Sequence, residues 1–350
     1  MKAGGEGDGT GLRRSIAELL EAIRGKRVLV AGDVMLDHYV WGDAFRISPE
    51  APVPVVDVTG DSYAAGGAAN VALNLASLGA RPLLAGRTGA DEGGERLDGL
   101  LAANGVERLP GFRGDGSPTI RKTRVMVRNQ QLCRIDREGP EEAYRIDGDD
   151  SRSVLGEAAA AGDAVLLSDY GKGGVTEGLI EILGGAARAR GVPVGLDPKP
   201  RRRLRFSGLD LLTPNRSEAL EMAGLPPHSR GSFPAAEACA RIRRIHRPRH
   251  LVVTLGGDGI LLGDADGGGR LIPTFARQVF DVSGAGDTVI ASLLVALASG
   301  ADLALAARFA NLAAGVVVGK VGTATVTGAE ILGYLGRHPD LGERAEEEIR

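Results

Sequence analysis

Short runs of β-branched and leucine residues alternate along this chain with longer, alanine-rich stretches. The strand-like runs are residues 28–31, 81–85, 164–167, 192–196, 209–212 and 251–254. The helix-like stretches are residues 68–78, 92–103, 177–190, 235–245, 285–298 and 303–318. Because short strands joined through helices form βαβ units, their strands lie parallel. The pattern predicts one α/β domain over residues 16–336, with a mostly parallel sheet and helices on both faces.

Two segments interrupt this alternation. Residues 52–58 (PVPVVDV) and 119–136 (TIRKTRVMVRNQQLCRID) show the polar alternation of exposed strands, with no helix between them and the next turn. They predict a small extra sheet, a β lid, with segments near residues 37–60 and 117–136. Because such a sheet has open edges, a second copy of the chain is expected to pair with it, which predicts a homodimer.

Charge and hydropathy exclude several classes of protein. The formal net charge of −3 over 350 residues argues against a nucleic-acid-coating protein. The longest apolar stretch, residues 289–298, is far shorter than the ~20 residues of a membrane span, and the polar N-terminus is unlike a secretory signal. We therefore expect a cytoplasmic protein that binds neither nucleic acid nor membrane. Residues 1–15 are expected to be a flexible tail and residues 337–350 a charged, solvated end.

The sequence DVSGAGD at residues 281–287 runs directly into an apolar, helix-like stretch. The small residues Gly284, Ala285 and Gly286 let backbone amides turn inward at a helix N-terminus, where amides and helix dipole bind anions. A transferring phosphoryl group is such an anion, and Asp287 lies where a carboxylate can accept a hydroxyl proton. Alone, the pattern also fits a glycine-rich turn whose aspartate stabilises a helix N-terminus.

A second glycine motif begins the helix-like stretch at residues 68–78. Gly66 and Gly67 allow a ligand to approach the backbone closely, and Asn70 lies one turn into the stretch. The amide of Asn70 offers both a donor and an acceptor to sugar hydroxyls. Together with the loop at 281–287, this motif predicts a kinase of a small, sugar-like substrate.

With both motifs in this order, the sequence resembles the ribokinase-like (PfkB-type) carbohydrate kinases from about residue 28 to about residue 332. The resemblance implies a ribokinase-like α/β fold with a small β lid, ATP and Mg²⁺ as cofactors, and Asp287 as the catalytic base. Asn215 and Glu218 match the family's N-x-x-E motif, which is associated with magnesium and the ATP phosphates. The two residues are one helical turn apart, so they can face one ion, although Asn215 also fits a simple helix N-cap.

The resemblance also assigns residues to the nucleotide side. Thr254, Gly256 and Gly259 look like the family's nucleotide-side turn. Asn311 and Gly315 match positions that line the adenine pocket in relatives.

Longer runs are similar to the D-glycero-β-D-manno-heptose 7-phosphate kinases. These runs are GDVMLD at 32–37, RISPEAPVPVV at 46–56, RNQQL at 128–132, LSDYGKG at 167–173, FAN at 309–311 and GVVVGK at 315–320. The similarity implies transfer of the ATP γ-phosphate to the C1 hydroxyl. The product is the 1,7-bisphosphate used for ADP-heptose and lipopolysaccharide core biosynthesis in Gram-negative bacteria.

A substrate that already carries a phosphate needs cations away from the ATP site. Lys122, Arg124 and Arg128 share strand parity, so all three could project from one face toward that phosphate. Lys172, in a turn after a strand, could reach the same group. The alternatives are a solvated lid face and a surface lysine.

Further residues are assigned to the sugar. Asp33 lies at the carboxyl end of the first strand, where ligands bind in open α/β sheets. The runs that resemble heptose 7-phosphate kinases add Asn129 and Asp169. Asp197 either reaches the substrate or is a structural carboxylate at a strand end.

Other interpretations stay open beside this one. The substrate could be another phosphosugar, such as fructose 1-phosphate or tagatose 6-phosphate, and residues 281–283 are a candidate site for a monovalent cation. A nicotinamide-dependent dehydrogenase is disfavoured because residues 32–35 lack the G-x-G-x-x-G turn. A non-catalytic sugar-binding regulator would be expected to lack Asp287.

Many relatives carry a second, nucleotidyltransferase domain with an H-x-G-H motif. We expect a kinase-only form here, with adenylyl transfer left to another protein, because the motif is not formed by any histidine of the sequence: His38, His228, His246, His250 and His338.

Overall fold

The computed structural model of the chain describes residues 8–128, 130–227, 233–264, 268–343 and 347–349. The strands in these ranges are β1 (Arg27–Gly32), β2 (Val34–Ile47), β3 (Pro54–Gly67), β4 (Arg81–Ala85), β5 (Thr88–Gly89), β6 (Glu107–Arg108), β7 (Arg113–Gly114), β8 (Ile120–Val127), β9 (Gln130–Arg137), β10 (Ala164–Ser168), β11 (Val194–Asp197), β12 (Leu211–Leu212), β13 (His250–Thr254), β14 (Ile260–Gly263), β15 (Gly269–Ile272) and β16 (Glu347–Ile349). The helices are α1 (Asp8–Ile23), α2 (Ala68–Ser77), α3 (Glu92–Ala103), α4 (Asp149–Ala161), α5 (Glu177–Arg188), α6 (Arg216–Met222), α7 (Ala235–His246), α8 (Ala285–Ala298), α9 (Leu303–Val317) and α10 (Gly328–Arg337).

One large sheet carries the fold. Its order among the described strands is β16-β15-β14-β13-β12-β11-β10-β1-β4-β6. The strands from β13 to β6 are parallel, whereas β14, β15 and β16 add in antiparallel fashion at one edge. The predicted mostly parallel sheet is therefore confirmed. The carboxyl ends of its parallel strands share one edge, where ligands bind in open α/β sheets.

Both faces of this sheet are covered by helices. On strand β1, Val28 and Val30 pack into a core that includes residues of α2, α8 and α9. Leu29 and Ala31 point to the opposite face and pack into a second core with residues of α4, α5 and α7. Since alternate residues of a strand face opposite sides, an uninterrupted apolar strand requires two cores.

The lid is a second sheet in the order β3-β2-β8-β9. Strands β2 and β8 are parallel, and the outer two pairs are antiparallel. The long hairpin of β2 and β3 extends from the end of β1 to the start of α2. The lid thus grows directly out of the sheet edge that carries the glycine motif.

Both chain ends differ from expectation. Helix α1 begins at Asp8, so residues 8–15 are helical rather than a tail. Ile16, Leu19 and Ile23 of this helix are buried, because their helical spacing forms an apolar stripe that faces the core. In the C-terminal end, which we expected to be solvated, Leu341 is buried and β16 pairs with β15.

No helix in the described ranges combines the length and the apolar character that crossing a membrane requires.

Candidate active site

The glycine motif at residues 66–67 marks the point where β3 ends and α2 begins. Gly67 has φ 59° and ψ −137°, and a Cβ there would lie 2.3 Å from the carbonyl oxygen of Asp33. A Cβ on Gly66 would lie 2.6 Å from Oδ2 of Asp37. Glycine at both positions lets the lid, the end of β1 and Asn70 of α2 meet at one edge of the sheet.

The second motif forms the loop before helix α8. Gly284 has a left-handed φ of 77°, and a Cβ there would lie 2.7 Å from Nδ2 of Asn70, so the two motifs are in contact. The amide of Ala285 donates to a carbonyl within the loop at 3.2 Å. The amides of Gly286 and Asp287 belong to the first turn and have no intrahelical acceptor. A Cβ on Gly286 would meet no atom within 4 Å, so the loop leaves room for a ligand here.

Asp287 lies in this first turn and is 2% exposed. Its Oδ2 accepts a hydrogen bond from Nδ2 of Asn70, and its Oδ1 accepts one from the hydroxyl of Tyr170, both at 2.7 Å. Burial raises the pKa of Asp287 to about 6, although both hydrogen bonds lower it. A carboxylate with this pKa is mostly ionised at neutral pH and is able to accept a proton from a hydroxyl.

The lid brings charged side chains close to this carboxylate. Asp37 of β2 lies opposite Lys122 of β8 and binds Arg124 through Oδ1 at 2.5 Å. Burial lowers the pKa of Lys122 more than Asp37 raises it, and further cations lower it too: Lys172, Arg124 and Arg134. Lys172 itself binds Glu138 at 2.6 Å. In the described part of the chain Lys122 forms no ion pair, so its charge is available to an anion.

Arg128 does not share the parity expected of it. Strand β8 ends at Val127, and Arg128 has a left-handed φ of 47° in the turn to β9. Its guanidinium lies 3.6 Å from Asp43 and over the ring of Phe45, in the outer part of the lid. The left-handed backbone breaks the strand alternation, so Arg128 does not extend the row formed by Lys122 and Arg124. Asn129 lies outside the described residues.

Acidic residues at the strand ends organise the loop that follows β10. Asp33, 1% exposed, accepts hydrogen bonds from backbone amides of this loop. Asp169 is buried and accepts from the amide of Gly171 at 2.8 Å, while its own amide donates to the carbonyl of Asp197. These bonds give Asp33 and Asp169 structural roles, and their contact with a sugar stays a prediction.

Asp197 ends strand β11 at the same edge. Its pKa is raised well above the ordinary value by burial and by the nearby carboxylates of Glu218 and Asp287. The hydroxyl of Thr213 lies 3.4 Å from its Oδ1. Carboxylates gathered in this way favour a cation between them or a proton on one of them.

Asn215 and Glu218 form a capping box at the start of α6. Oδ1 of Asn215 accepts from the amides of Ser217 and Glu218 and from the hydroxyl of Ser217. One oxygen of Glu218 accepts from the amide of Asn215, and the other accepts from Lys199 at 2.9 Å. These three donors give Asn215 a cap role, and the contact of Asn215 and Glu218 with Mg²⁺ or the ATP phosphates stays a prediction.

The nucleotide-side turn follows β13. Thr254 pairs with Asn215 through an isolated parallel bridge, which joins this turn to the N-x-x-E motif. Gly256 and Gly259 have φ values of 63° and 114°, and a Cβ on Gly259 would lie 2.1 Å from the carbonyl oxygen of Ile272. Gly259 therefore lets the turn lie directly against the end of β15.

Asn311 and Gly315 of α9 hold the segment that follows β15. Nδ2 of Asn311 donates to the carbonyl of Pro273 at 2.9 Å, and its Oδ1 accepts from the amide of Phe275 at 3.2 Å. A Cβ on Gly315 would lie 3.1 Å from the backbone nitrogen of Ala276. Both residues therefore shape this segment through its backbone, and their contact with adenine stays a prediction.

A family model described as pfkB family carbohydrate kinase matches residues 26–329. The chain belongs to the PfkB family of carbohydrate kinases. It is an ATP-dependent sugar kinase, as the two glycine motifs predicted.

Relatives of this PfkB kinase are named bifunctional protein HldE. That of Geobacter metallireducens is 44% identical over 329 residues, which are 94% of this chain and 67% of the relative. That of Halorhodospira halophila is 48% identical, over 91% of this chain and 65% of the relative. The chain spans about two thirds of the length of these curated relatives.

Solved structures confirm the ribokinase-like fold. The ribokinase of Arabidopsis thaliana complexed with ribose and ATP has a TM-score of 0.71 at 24% identity, covering 89% of this chain and 99% of that one. The phosphofructokinase-2 of Escherichia coli in complex with potassium has a TM-score of 0.67 at 22% identity, covering 90% and 100%.

Sequence reasoning missed three residues at the site of this PfkB kinase. Tyr170 binds the carboxylate of Asp287, Asp37 binds Arg124, and Glu138 binds Lys172. Tyr170 and Asp37 lie in the runs 167–173 and 32–37, which are similar to relatives, and this similarity could have identified them as site residues. No feature of the sequence marks Glu138.

Proposed function

We propose that this chain transfers the γ-phosphoryl group of ATP to the C1 hydroxyl of D-glycero-β-D-manno-heptose 7-phosphate, with Asp287 as the base. The observation that carries the proposal is the position of Asp287. Its buried carboxylate lies between the open first-turn amides of α8 and the cationic inner face of the lid.

The base would act on the attacking hydroxyl, and the amides would act on the transferring phosphoryl group. The ionised Asp287 accepts the proton of the hydroxyl as that oxygen attacks phosphorus. The amides of Gly286 and Asp287 face the charge on the transferring group, and such electrostatic positioning supplies most of the catalysis in phosphoryl transfer. Gly284 and Ala285 shape the loop that presents these amides.

The lid supports a substrate that already carries a phosphate. Lys122 has cations around it and no ion pair in the described chain, so a phosphate there would relieve repulsion among like charges. Arg124 and Lys172 are held by Asp37 and Glu138, which fixes their positions around Lys122. An uncharged sugar would leave this repulsion uncompensated.

The choice of heptose 7-phosphate rests on two supports. The runs at 32–37, 46–56 and 167–173 are similar to heptose 7-phosphate kinases, and the relatives named HldE match almost the whole chain. A kinase of another phosphosugar, such as fructose 1-phosphate or tagatose 6-phosphate, would use the same lid cations and is the second candidate.

Magnesium fits the acidic edge of the site. Mg²⁺, held with the ATP phosphates beside Glu218, would neutralise charge on the transferring group. Burial and the carboxylates of Glu218 and Asp287 raise the pKa of Asp197, so a further cation would be favourable there although Lys199 already pairs with Glu218. A monovalent cation would fit beside Asp281, whose pKa is lowered below its ordinary value despite burial, by hydrogen bonds from Ser283 and Gly322.

The outer part of the lid suits a second copy of the chain. All eight residues of β9 are exposed, and apolar side chains of the lid are exposed on β2, β3 and β9: Phe45, Ile47, Val58, Leu132 and Ile135. A homodimer through the lid would cover this apolar surface and the open edge of β9.

We also propose a cytoplasmic location, where ATP and sugar phosphates are present.

A panel of acceptors tests the substrate. ADP release with magnesium-ATP is measured for heptose 7-phosphate, sedoheptulose 7-phosphate, fructose 1-phosphate, fructose 6-phosphate and ribose. We expect strong preference for heptose 7-phosphate, with the new phosphate at C1. Preference for a different phosphosugar would show that the proposed substrate is wrong while the kinase activity is right. Turnover of ribose alone would show that the lid cations do not bind a substrate phosphate.

A further inference from the structure

Asp33 is a buried carboxylate whose acceptors are used by the protein itself. Its Oδ2 accepts from the amides of Tyr170 at 2.7 Å and Lys172 at 3.0 Å, and its Oδ1 accepts from the amide of Gly174 at 2.7 Å. Three amides of one loop therefore converge on one carboxylate, which compensates the cost of burying its charge. This arrangement leaves Asp33 little capacity for a sugar hydroxyl.

The loop is built to wrap around this carboxylate. Gly173 has a φ of 105°, and a Cβ there would lie 2.0 Å from the carbonyl oxygen of Glu141. A Cβ on Gly174 would lie 2.7 Å from Oδ1 of Asp33. Only a chain without side chains at both positions can approach so closely, so the path of the loop is determined by Asp33 and Glu141.

The residue that this loop presents to the site is Tyr170. Its hydroxyl donates to Oδ1 of Asp287 at 2.7 Å, while Asn70 donates to Oδ2 from the other side. Asn70 belongs to a buried network, since its neighbour Asn74 binds the hydroxyl of Thr288 at 2.9 Å. The carboxylate is thus held at both oxygens, one from helix α2 and one from the loop anchored on Asp33.

The surroundings keep Tyr170 in its donor form. Burial first, and then the charges of Asp287 and Asp197, raise the pKa of the Tyr170 hydroxyl well above its ordinary value. The ammonium of Lys122 lies 5.4 Å from the centre of its ring. Among the described residues, the charged or titratable groups that act on Asp287 include Tyr170 from the loop, Asp37 from β2, Lys122 from β8 and Asp197 from β11.

We propose that Tyr170 is a positioning residue for Asp287, and that Asp33 acts through Tyr170 as the anchor of its loop instead of as a ligand of the sugar. The proposal rests on the proposed role of Asp287 as the base. It gives the LSDYGKG run at residues 167–173 a function in orienting the base.

The first test is Tyr170→Phe, which keeps the ring and removes the hydroxyl. We expect kcat to fall about tenfold, the effect of one lost hydrogen bond to a charged group. The acid limb of the kcat/KM profile, expected near pH 6 in the wild type, should move to higher pH because a donor to the ionised form is lost. The KM for ATP should keep its wild-type value.

Tyr144→Phe is the matched control. It also removes a hydroxyl from a tyrosine, here one that binds the amide of Gly139 and the carbonyl of Pro118. It should leave the acid limb where it is. A shift of equal size in this control would assign the effect to the loss of any buried tyrosine hydroxyl and would overturn the proposal.

A double-mutant cycle with Asp33→Asn separates the two roles of Asp33. In Asp33→Asn an NH₂ group replaces one of the two carboxylate oxygens of Asp33. This donor would face an amide donor of the loop, and the repulsion between them would displace the loop and Tyr170. If Asp33 is an anchor, Asp33→Asn lowers kcat in the wild type and adds little in Tyr170→Phe, because coupled residues are not additive. An equal rise of the sugar KM in both backgrounds would instead make Asp33 a sugar ligand.

The outcome also distinguishes this role from the function of the site. If Asp287→Asn keeps normal turnover, the proposed base is wrong and Tyr170 has no base to position. If Asp287→Asn is inactive while Tyr170→Phe leaves both kcat and the acid limb unchanged, the base stands and the role of Tyr170 is refuted. If Asp33→Asn fails to fold, Tyr170→Phe alone still tests whether Tyr170 positions Asp287.

Discussion

Replacing Asp287 by asparagine should lower kcat by about 10²–10⁴-fold, the usual contribution of a general base. The geometry of the site is expected to survive the change. The asparagine oxygen can accept from Asn70, and its NH₂ group can donate to the oxygen of Tyr170, which takes either role. The KM for ATP should therefore change little. Steady-state kinetics with magnesium-ATP and a phosphosugar measures both constants.

The same substitution should stabilise the folded protein at neutral pH. The pKa of Asp287 is about 6 in the folded state and 3.8 in its ordinary surroundings, so the folded state binds the proton more tightly. Stability therefore falls as pH rises from about 4 to about 6, by roughly 3 kcal/mol in total, and Asp287→Asn removes this loss. Thermal unfolding of both proteins at pH 5 and pH 8 measures the difference.

Asp302→Asn provides the control for both measurements. Asp302 caps helix α9 by accepting from the amide of Leu305 at 2.8 Å, and asparagine caps a helix equally well. We expect unchanged turnover and unchanged stability. An Asp287→Asn enzyme that turns over like this control would rule out Asp287 as the base.

Lys122→Met should raise the KM for the phosphosugar by about 10–150-fold, which corresponds to the 1.5–3 kcal/mol of a hydrogen bond to a charged group. Methionine keeps the length of the side chain and removes the charge. Arg124 and Lys172 remain tied to Asp37 and Glu138, so they cannot fully replace it. The KM for ATP should stay constant. Preference for the phosphorylated over the unphosphorylated sugar, measured as a ratio of kcat/KM, should fall by the same factor.

Arg121→Met is the control for this substitution. Arg121 is the adjacent residue of β8 and, by strand alternation, faces the other side of the lid, where its charge acts on Asp91. It should leave both KM values unchanged. Equal effects of Lys122→Met on the KM for ATP and for the sugar would place Lys122 outside the phosphate site.

The secondary structure of the main domain was predictable because it depends on local patterns. The helices α2, α3 and α8 begin and end within a residue of the predicted stretches. Residues 8–15 were misjudged because glycine and charged residues hide the apolar stripe of α1, which becomes regular only from Ile16 onward. Its burial against the main core decides that the helix forms.

The site was predictable where one short segment contains the whole signal. Residues 281–287 predicted a turn of small residues with inward-facing amides and a carboxylate at a helix N-terminus. In the structure Gly284 has a left-handed φ and Asp287 lies in the first turn of α8. The N-x-x-E motif left the role of Asn215 open because a capping box has the same spacing as a shared ion site. The structure shows the capping box, and the contact of Asn215 with an ion stays a prediction.

The predicted alternation of side chains along β8 applies only to residues within the strand. Lys122 and Arg124 face the site, but the left-handed backbone of Arg128 ends the alternation one residue after Val127. A turn conformation of this kind depends on the partner strand β9. The sequence of β8 alone does not contain it.

By itself, the sequence determined the parallel sheet, the lid segments, the two glycine motifs and Asp287, since each is encoded by neighbouring residues. Only the tertiary structure decided what holds Asp287, because Tyr170 and Asn70 are 117 and 217 residues away from it along the chain. It also decided that Asp33 binds the loop of Tyr170, and that Lys122 is left without an ion pair among the described residues while its neighbours are paired. Hydrogen bonds and charge pairs between distant segments depend on distances that only the folded chain sets.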